Sequence, residues 1–178
     1  WGADAIGADP YVEMLQKKSS LPQITVAVVD TGVYEEHSWL EGRIAENGTS
    51  FVLDSDGSYA DGHGHGTHCS GIIASVTADN VKILPIKVLS DSGYGTEMEV
   101  YCGMMYALEQ NADVISMSLG GTGDSGLENL AAEAIAAADI PLCVAGGNET
   151  QDVHYHHPAA IDSCITVSAV GHYYDNAG

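Results

Sequence analysis

The sequence predicts an α/β protein built around a mostly parallel sheet. Two observations carry this. Several runs are continuously apolar and β-branched, as strands buried on both faces must be. Amphipathic helical patterns alternate with those runs, as crossovers between parallel strands require. A third observation bears on function: the runs end in small or polar turn residues, at the strand ends where chemistry gathers in such folds.

Taken in order, "QITVAVVD" (23–30) is the first such run, closing on Asp30 and then "TGV". "KILPIKVLS" (82–90), "ADVISMSLGG" (112–121) and "IPLCVAGGN" (140–148) repeat the design, and "CITVSAV" (164–170) is a fifth candidate. Between them, Met98, Tyr101, Cys102, Met105 and Leu108 fall at three- and four-residue steps, as do Leu127, Leu130, Ala131, Ala134 and Ile135. Ser125 with Glu128 three residues on predicts a capping box at the start of the second helix. Right-handed crossovers then bring Asp30, Ser118 to Gly121 and Asn148 to the carboxyl edge of one sheet.

At 178 residues the chain fits a single domain, with no repeat, linker or low-complexity tract. Its 25 acidic side chains against five basic ones give a formal net charge of −20. That surface disfavours nucleic acid and anionic membranes, which need clustered Lys or Arg. No apolar run reaches the ~20 residues of a spanning helix. The opening "WGADAIGADPY" lacks the charged-then-apolar start of a signal peptide; a processed N-terminus reads like this, and so does an artificial boundary. The four cysteines sit inside predicted helices and strands, which favours buried thiols over a disulfide framework and leaves the redox compartment open.

"DGHGHGTHCSGIIAS" (61–75) concentrates the chemistry. His65 stands just before a predicted helix whose apolar face runs through Cys69, Ile72 and Ile73. One reading is a metal site. His65 and Cys69, four apart, can face one ion, but two further ligands are needed, which His154, His156 and His157 could supply. The other reading is a catalytic base. Asp30, at the end of a buried strand, needs a hydrogen-bonded partner. Asn148, flanked by glycines, can aim its amide at a developing oxyanion.

In chain order, "VAVVDTGV", "DGHGHGTHCSGIIAS", "SMSLGG" and "VAGGNE" resemble the successive catalytic-domain motifs of the subtilisin-like serine peptidases, and "GHGTHC" is similar to the proteinase K branch. The resemblance runs from "WGADAI" to "VSAV". It implies a three-layer α/β fold with a mostly parallel central sheet, of which residues 1–178 are roughly the N-terminal two-thirds of the catalytic domain. It implies an Asp-His-Ser endopeptidase in which Asp30 orients the imidazole, His65 is the general base and Asn148 is the oxyanion-hole donor. Ser118, Leu119 and Gly120 match the strand that pairs with the peptide, and Ser92, Gly93 and Tyr94 match the strand across the cleft. By the same resemblance Glu149 and His156 are expected to border the pocket for the residue before the scissile bond. His68 and Cys69 are expected as buried packing beneath the site.

Two departures stand out. The family's nucleophile lies in a "GTSMA" motif after the stretch covered here, and this sequence ends at "HYYDNAG" without it. "NGTSF", with Ser50, is a decoy: it reads as a polar turn before a strand-like "FVLD". Only "SVTADN" stands where many members have a longer calcium-wrapping loop, so no calcium and no other cofactor or metal is expected. The resemblance implies peptide or protein substrates, a secreted or extracytoplasmic location, and a complementary C-terminal chain or a propeptide as partner. The 178 residues alone are expected to be inactive. A non-catalytic peptide-binding scaffold of the same fold, or a His-rich metal protein, is the alternative.

Overall fold

The computed structural model of the chain describes residues 2–53, 55–123 and 125–170. The tail His172–Gly178, beyond which the resemblance places the nucleophile motif, lies outside them. Five helices and eight strands appear among the described residues: α1 (Gly2–Ala5), α2 (Ala8–Gln16), β1 (Ile24–Asp30), β2 (Thr49–Ser50), α3 (His65–Ser75), β3 (Val81–Lys87), α4 (Glu97–Glu109), β4 (Val114–Met117), β5 (Gly121–Thr122), α5 (Gly126–Ala137), β6 (Leu142–Ala145), β7 (His156–His157) and β8 (Ile165–Val167).

Six strands form one sheet in the order β2-β3-β1-β4-β6-β8, every pairing parallel. β1 is interior, flanked by β3 and β4. Because side chains alternate along a strand, β1 feeds two cores. Ala27 and Val29 join Leu84 and Ile86 beneath α4 and α5, against Val100, Met104, Ala131 and Ile135. Val26 and Val28 join Ile83 on the other face, with Ala74 of α3 and the fully buried Leu40. Helices on both sides of one parallel sheet make the three layers, as expected from the sequence.

The helix faces differ from the periodicity reading. On α4 the buried residues are Val100, Gly103, Met104 and Ala107, while Met98 is exposed. On α5 they are Glu128, Ala131, Ala132 and Ile135, while Leu130 is exposed. On α3 they are Gly66, Ser70 and Ala74; Ile72 is exposed and so is His68, which was expected buried. The reason is common to all three. Close packing selects small residues at the seam, so the largest side chains do not mark it. A Cβ on Gly103 would stand 2.3 Å from Val88 Cγ1.

The capping box also moves. Ser125 Oγ accepts the Glu128 N–H, but the Glu128 carboxylate turns to His157. The complete box is on α4, where Thr96 Oγ1 accepts from Glu99 N–H and the Glu99 carboxylate accepts from Thr96 N–H. All four cysteines are free and half-buried.

Candidate active site

Asp30 ends β1, and His65 begins α3. Asp30 is 1% exposed. Its Oδ1 accepts the Thr31 N–H at 2.6 Å and lies 2.7 Å from His65 Nδ1, with Oδ2 at 3.0 Å from the same nitrogen. An ionised carboxylate there fixes the neutral imidazole as its Nδ1–H tautomer. Nε2 is left facing the cleft as a proton acceptor.

A second aspartate holds this pair in place. Asp61 Oδ1 accepts from Thr31 Oγ1 at 2.9 Å and from the Gly64 N–H at 2.8 Å. Its Oδ2 accepts the Thr67 N–H at 3.0 Å and the Thr67 hydroxyl. Thr31 Oγ1 in turn accepts the Gly66 N–H at 2.9 Å. The open N-terminus of α3 is thereby tied to the end of β1 through one carboxylate and one hydroxyl. Asp61 stood within the "DGHGHGTH" motif without an assigned role; its position four residues before His65, at a helix start, is the signal for it.

Burial alone would raise the Asp61 carboxyl, but the bonds from Thr67, Gly64 and Thr31 outweigh it and hold the group below its ordinary 3.8. A depressed folded value contributes stability above the unfolded pKa and loses it as pH falls through the folded one. Asp61→Asn should therefore cost about 1–2 kcal/mol at pH 7. It should also flatten the acid limb of thermal stability below pH ~4. Melting curves at pH 7 and pH 3 check both; a variant that keeps the wild-type acid limb would remove Asp61 from this role.

A cleft of about 720 Å³ opens in front of His65. Ser92, Gly93, Tyr94, Ser118, Leu119, Gly120, Asn148, Glu149 and His156 all line it, as does Thr31; Asp30 sits behind His65. The two walls are not the regular strands the sequence suggested. Ser90–Tyr94 is a turn closed by Ser90 N–H to Tyr94 O, with Gly93 at φ 82°. Residues 118–120 leave β4 and lead into the two-residue β5, which pairs antiparallel with β7. The backbone groups of Leu119 and Gly120 bond to no other described residue, which leaves an extended edge open. The Asn148 side-chain amide is likewise uncommitted, while its backbone N–H donates to Glu149 Oε2 at 2.7 Å.

Cys69 Sγ is 3.9 Å from His65 Nδ1, so Asp30, His65 and Cys69 form one group of possible ligand atoms within 4.8 Å. Burial pushes the Cys69 thiol up; a contact from Ser118 pulls it back and the Asp30 charge pushes it up again. A thiol so raised stays protonated near neutral pH and is a poor nucleophile or ligand. The histidines that a zinc reading needed do not join this group among the described residues. His156 Nε2 lies 3.6 Å from Glu149, and His157 Nδ1 lies 2.7 Å from Glu128 Oε2. Ser50 is not in a turn but in edge strand β2, its Oγ bonded to Val52 N–H and Ser55 Oγ, and it does not line the cleft. The residues after it, 51–53, form no strand, and Asp54 lies outside the described residues.

The family model described as Subtilase family, Peptidase S8, matches residues 22–177. A cuticle-degrading serine protease of Arthrobotrys oligospora is 36% identical over 181 residues, covering 96% of this chain and 44% of that protein. Thermitase of Thermoactinomyces vulgaris is 40% identical over 183 residues, covering 90% of this chain and 64% of the relative. A solved structure of a cold adapted subtilisin-like serine proteinase aligns with TM-score 0.69 at 36% identity, over 82% of this chain and 54% of the other. The chain spans about half the length of the curated relatives it matches.

Proposed function

The chain belongs to the subtilase family, and on that footing we propose that it supplies the base, the orienting carboxylate and the oxyanion donor of a serine endopeptidase. The carrying observation is the 2.7 Å contact between buried Asp30 and partly exposed His65, whose imidazole faces the same cleft as the Asn148 amide. A serine from the remainder of the catalytic domain completes the triad. His65 Nε2 takes the hydroxyl proton as Oγ bonds to the substrate carbonyl carbon, and the carbonyl electron pair moves onto oxygen. Asn148 donates to that oxyanion. Asp30 stabilises the imidazolium. When the C–N bond breaks, His65 returns the proton to the leaving amine, and water repeats the sequence to release the acid. The peptide lies between 118–120 and 92–94, pairing with the open edge of Leu119 and Gly120 as an added strand.

The partner that brings the serine is a complementary C-terminal segment, in the same chain or another. Among the described residues β8 is the last strand of the sheet, and its Ile165 and Val167 are more than half exposed, an edge suited to such a segment. We place the protein outside the cytoplasm, since cuticle, named for one relative's activity, is an external material. No calcium is proposed at 76–80. That turn offers one carboxylate, Asp79, 3.8 Å from the Arg43 guanidinium, and the buried Asn80 Oδ1, whereas Ca²⁺ takes six to eight oxygens.

A serine-directed phosphonate tests the assignment. It should leave the 178-residue chain unlabelled, label it in combination with the complementary segment, and fail again with His65→Ala. Robust His65-dependent peptidase activity from the chain alone would point to another nucleophile, Ser50 first.

Glu149 gives the pocket beside Asn148 a preference for basic side chains. Its carboxylate is 48% exposed on the side chain and shared with His156 and the Asn148 N–H, so the preference is modest, about fivefold, or ~1 kcal/mol. A paired arginine and citrulline substrate panel should lose that ratio in Glu149→Gln; an unchanged ratio would exclude the role.

A further inference from the structure

We propose that His63 and His65 form a two-histidine site for a zinc ion, and that the ion switches the peptidase off by taking the lone pair of its base. The inhibition rests on the reading of His65 as that base; the site itself rests on the two rings.

The rings meet edge to face, with centroids 6.3 Å apart and planes at 72°. Both line the cleft, and the His65 side chain is 41% exposed. His65 is already arranged as a ligand. The Asp30 carboxylate, 2.7 Å from Nδ1, holds the proton there and leaves the Nε2 lone pair directed outward. A carboxylate behind an imidazole is the arrangement that orients metal-binding histidines and raises their basicity.

His63 is the movable member. It is exposed, and among the described residues its ring makes no hydrogen bond. A Cβ on Gly93 would stand 3.0 Å from its Nε2, so the bare backbone at 93 leaves the ring its room on the cleft wall. The main chain beneath both rings is fixed. Asp61 Oδ1 accepts the His63 N–H at 3.0 Å and the Gly64 N–H at 2.8 Å, and Gly64 turns at φ 98° into α3. Zn–N bonds of ~2.0–2.1 Å at a tetrahedral angle set two ligating imidazole centroids roughly 5 Å apart. The observed 6.3 Å must therefore close by roughly 1 Å, which rotation of an exposed side chain supplies.

The other candidates fall away on geometry. His156 and His157 also line the cleft, but they face Glu149 and Glu128. His68 does not line it. Cys69 Sγ lies 3.9 Å from Nδ1, the nitrogen already given to Asp30. Imidazole nitrogen suits zinc, whereas Mg²⁺ and Ca²⁺ seek oxygen. The net charge of −20 gathers cations near the surface, so specificity must come from these ligands. With two protein ligands the remaining positions belong to water, which makes the ion exchangeable and the inhibition reversible. The pair is hidden in the sequence because metal-binding histidines on a helix are sought three or four apart, and His63 precedes the helix by two positions.

Titration calorimetry of the 178-residue chain with Zn²⁺ at pH 7, in excess Mg²⁺, tests the site. One ion should bind per chain. His63→Ala should weaken it at least ~10-fold and His65→Ala should abolish it, while His68→Ala and His154→Ala should change it less than twofold. His63 is exposed, so its variant decides the matter even where loss of the Asp30 partner unfolds His65→Ala, which circular dichroism reports. No binding, or binding that His63→Ala leaves unchanged, would overturn the site. With the complementary segment supplied, Zn²⁺ should slow phosphonate labelling at least tenfold, a chelator should restore it, and His63→Ala should lose most of the protection. Zinc bound at the pair with labelling at its full rate would overturn the inhibition. Zinc bound at the pair in a combined protein that no phosphonate labels, with or without zinc, would overturn the peptidase reading and the inhibition with it, leaving the metal site standing.

Discussion

In the complete enzyme, Asp30→Asn should lower kcat by about four orders of magnitude while changing KM only a few-fold. The substitution preserves shape, and an amide oxygen can still accept the Thr31 N–H that now reaches Oδ1 at 2.6 Å. Oδ1 also lies 2.7 Å from His65 Nδ1 and Oδ2 lies 3.0 Å from it, so the NH₂ takes the Oδ2 place and points a donor at the imidazole. Nδ1 accepts from that NH₂ and the proton moves to Nε2. That nitrogen then cannot take the proton of a serine. The imidazolium that forms later also loses the buried countercharge 2.7 Å away. KM is spared because Asp30 stands behind His65 and does not itself line the cleft. His65→Ala should cost at least as much, and the double variant no more than the worse single one, because the groups act as a unit. Steady-state kinetics with an unchanged melting temperature is the measurement. A loss below tenfold would reduce Asp30 to a packing residue.

Gly66→Ala should unfold the site from within. A Cβ at Gly66 would lie 2.2 Å from the Gly32 carbonyl oxygen and 3.1 Å from Asp30 Oδ1. The first of these is backbone and cannot rotate away, so α3 must move off β1 or the turn after Asp30 must open. Either movement breaks the Gly66 N–H to Thr31 Oγ1 bond and separates His65 from Asp30. We expect a loss of at least ~3 kcal/mol. That corresponds to a melting temperature lower by roughly 6–12 °C for a domain of this size. Gly71 provides the control on the same helix. Nothing lies within 4 Å of a Cβ there, so Gly71→Ala should stabilise by about 0.5–1 kcal/mol through helix propensity. Calorimetry of both variants separates local geometry from a general intolerance of α3. Equal behaviour of the two would refute the close approach.

The parts of this molecule that were legible in its sequence are those in which the signal is local. β1 and β3 are seven-residue runs with no polar interruption at their centres, and burial on both faces leaves that composition little alternative. The motif residues Asp30, His65 and Asn148 stand at element ends, where turn chemistry makes them visible. Three kinds of feature stayed hidden. α2 has no side-chain cap to announce it; Gly7 at its start adopts φ 67° instead. Strands β5 and β7 are two residues each, too short for any alternation to register. The supports of the site depend on partners far along the chain: Asp61 on Thr31 thirty positions earlier, Glu128 on His157 twenty-nine positions later. Periodicity cannot report such pairs. Nor could it phase the helices correctly, because Gly103, Ala131 and Ala132 occupy the seam while larger residues face outward.

The interior position of β1 has a consequence for time rather than geometry. The first strand of the sheet to be synthesised is bordered on both sides by strands that come much later: Thr25 receives its side-chain acceptor from Asp113, eighty-eight positions on, and Lys87 reaches back fifty-six positions to the Thr31 carbonyl. A nascent chain emerging in order holds β1 without either neighbour until β3 and then β4 have been made. Loop closures of that span precede any contact that rewards them, which places such topologies among the slow folders. Asp30 and His65 are only thirty-five residues apart, yet the surface on which they meet is the end of β1. The Thr31 and Gly66 amides at that junction should accordingly be among the last to gain protection in pulse-labelled refolding, and exposure of the unpaired, apolar β1 should set how readily the chain is lost to aggregation before then.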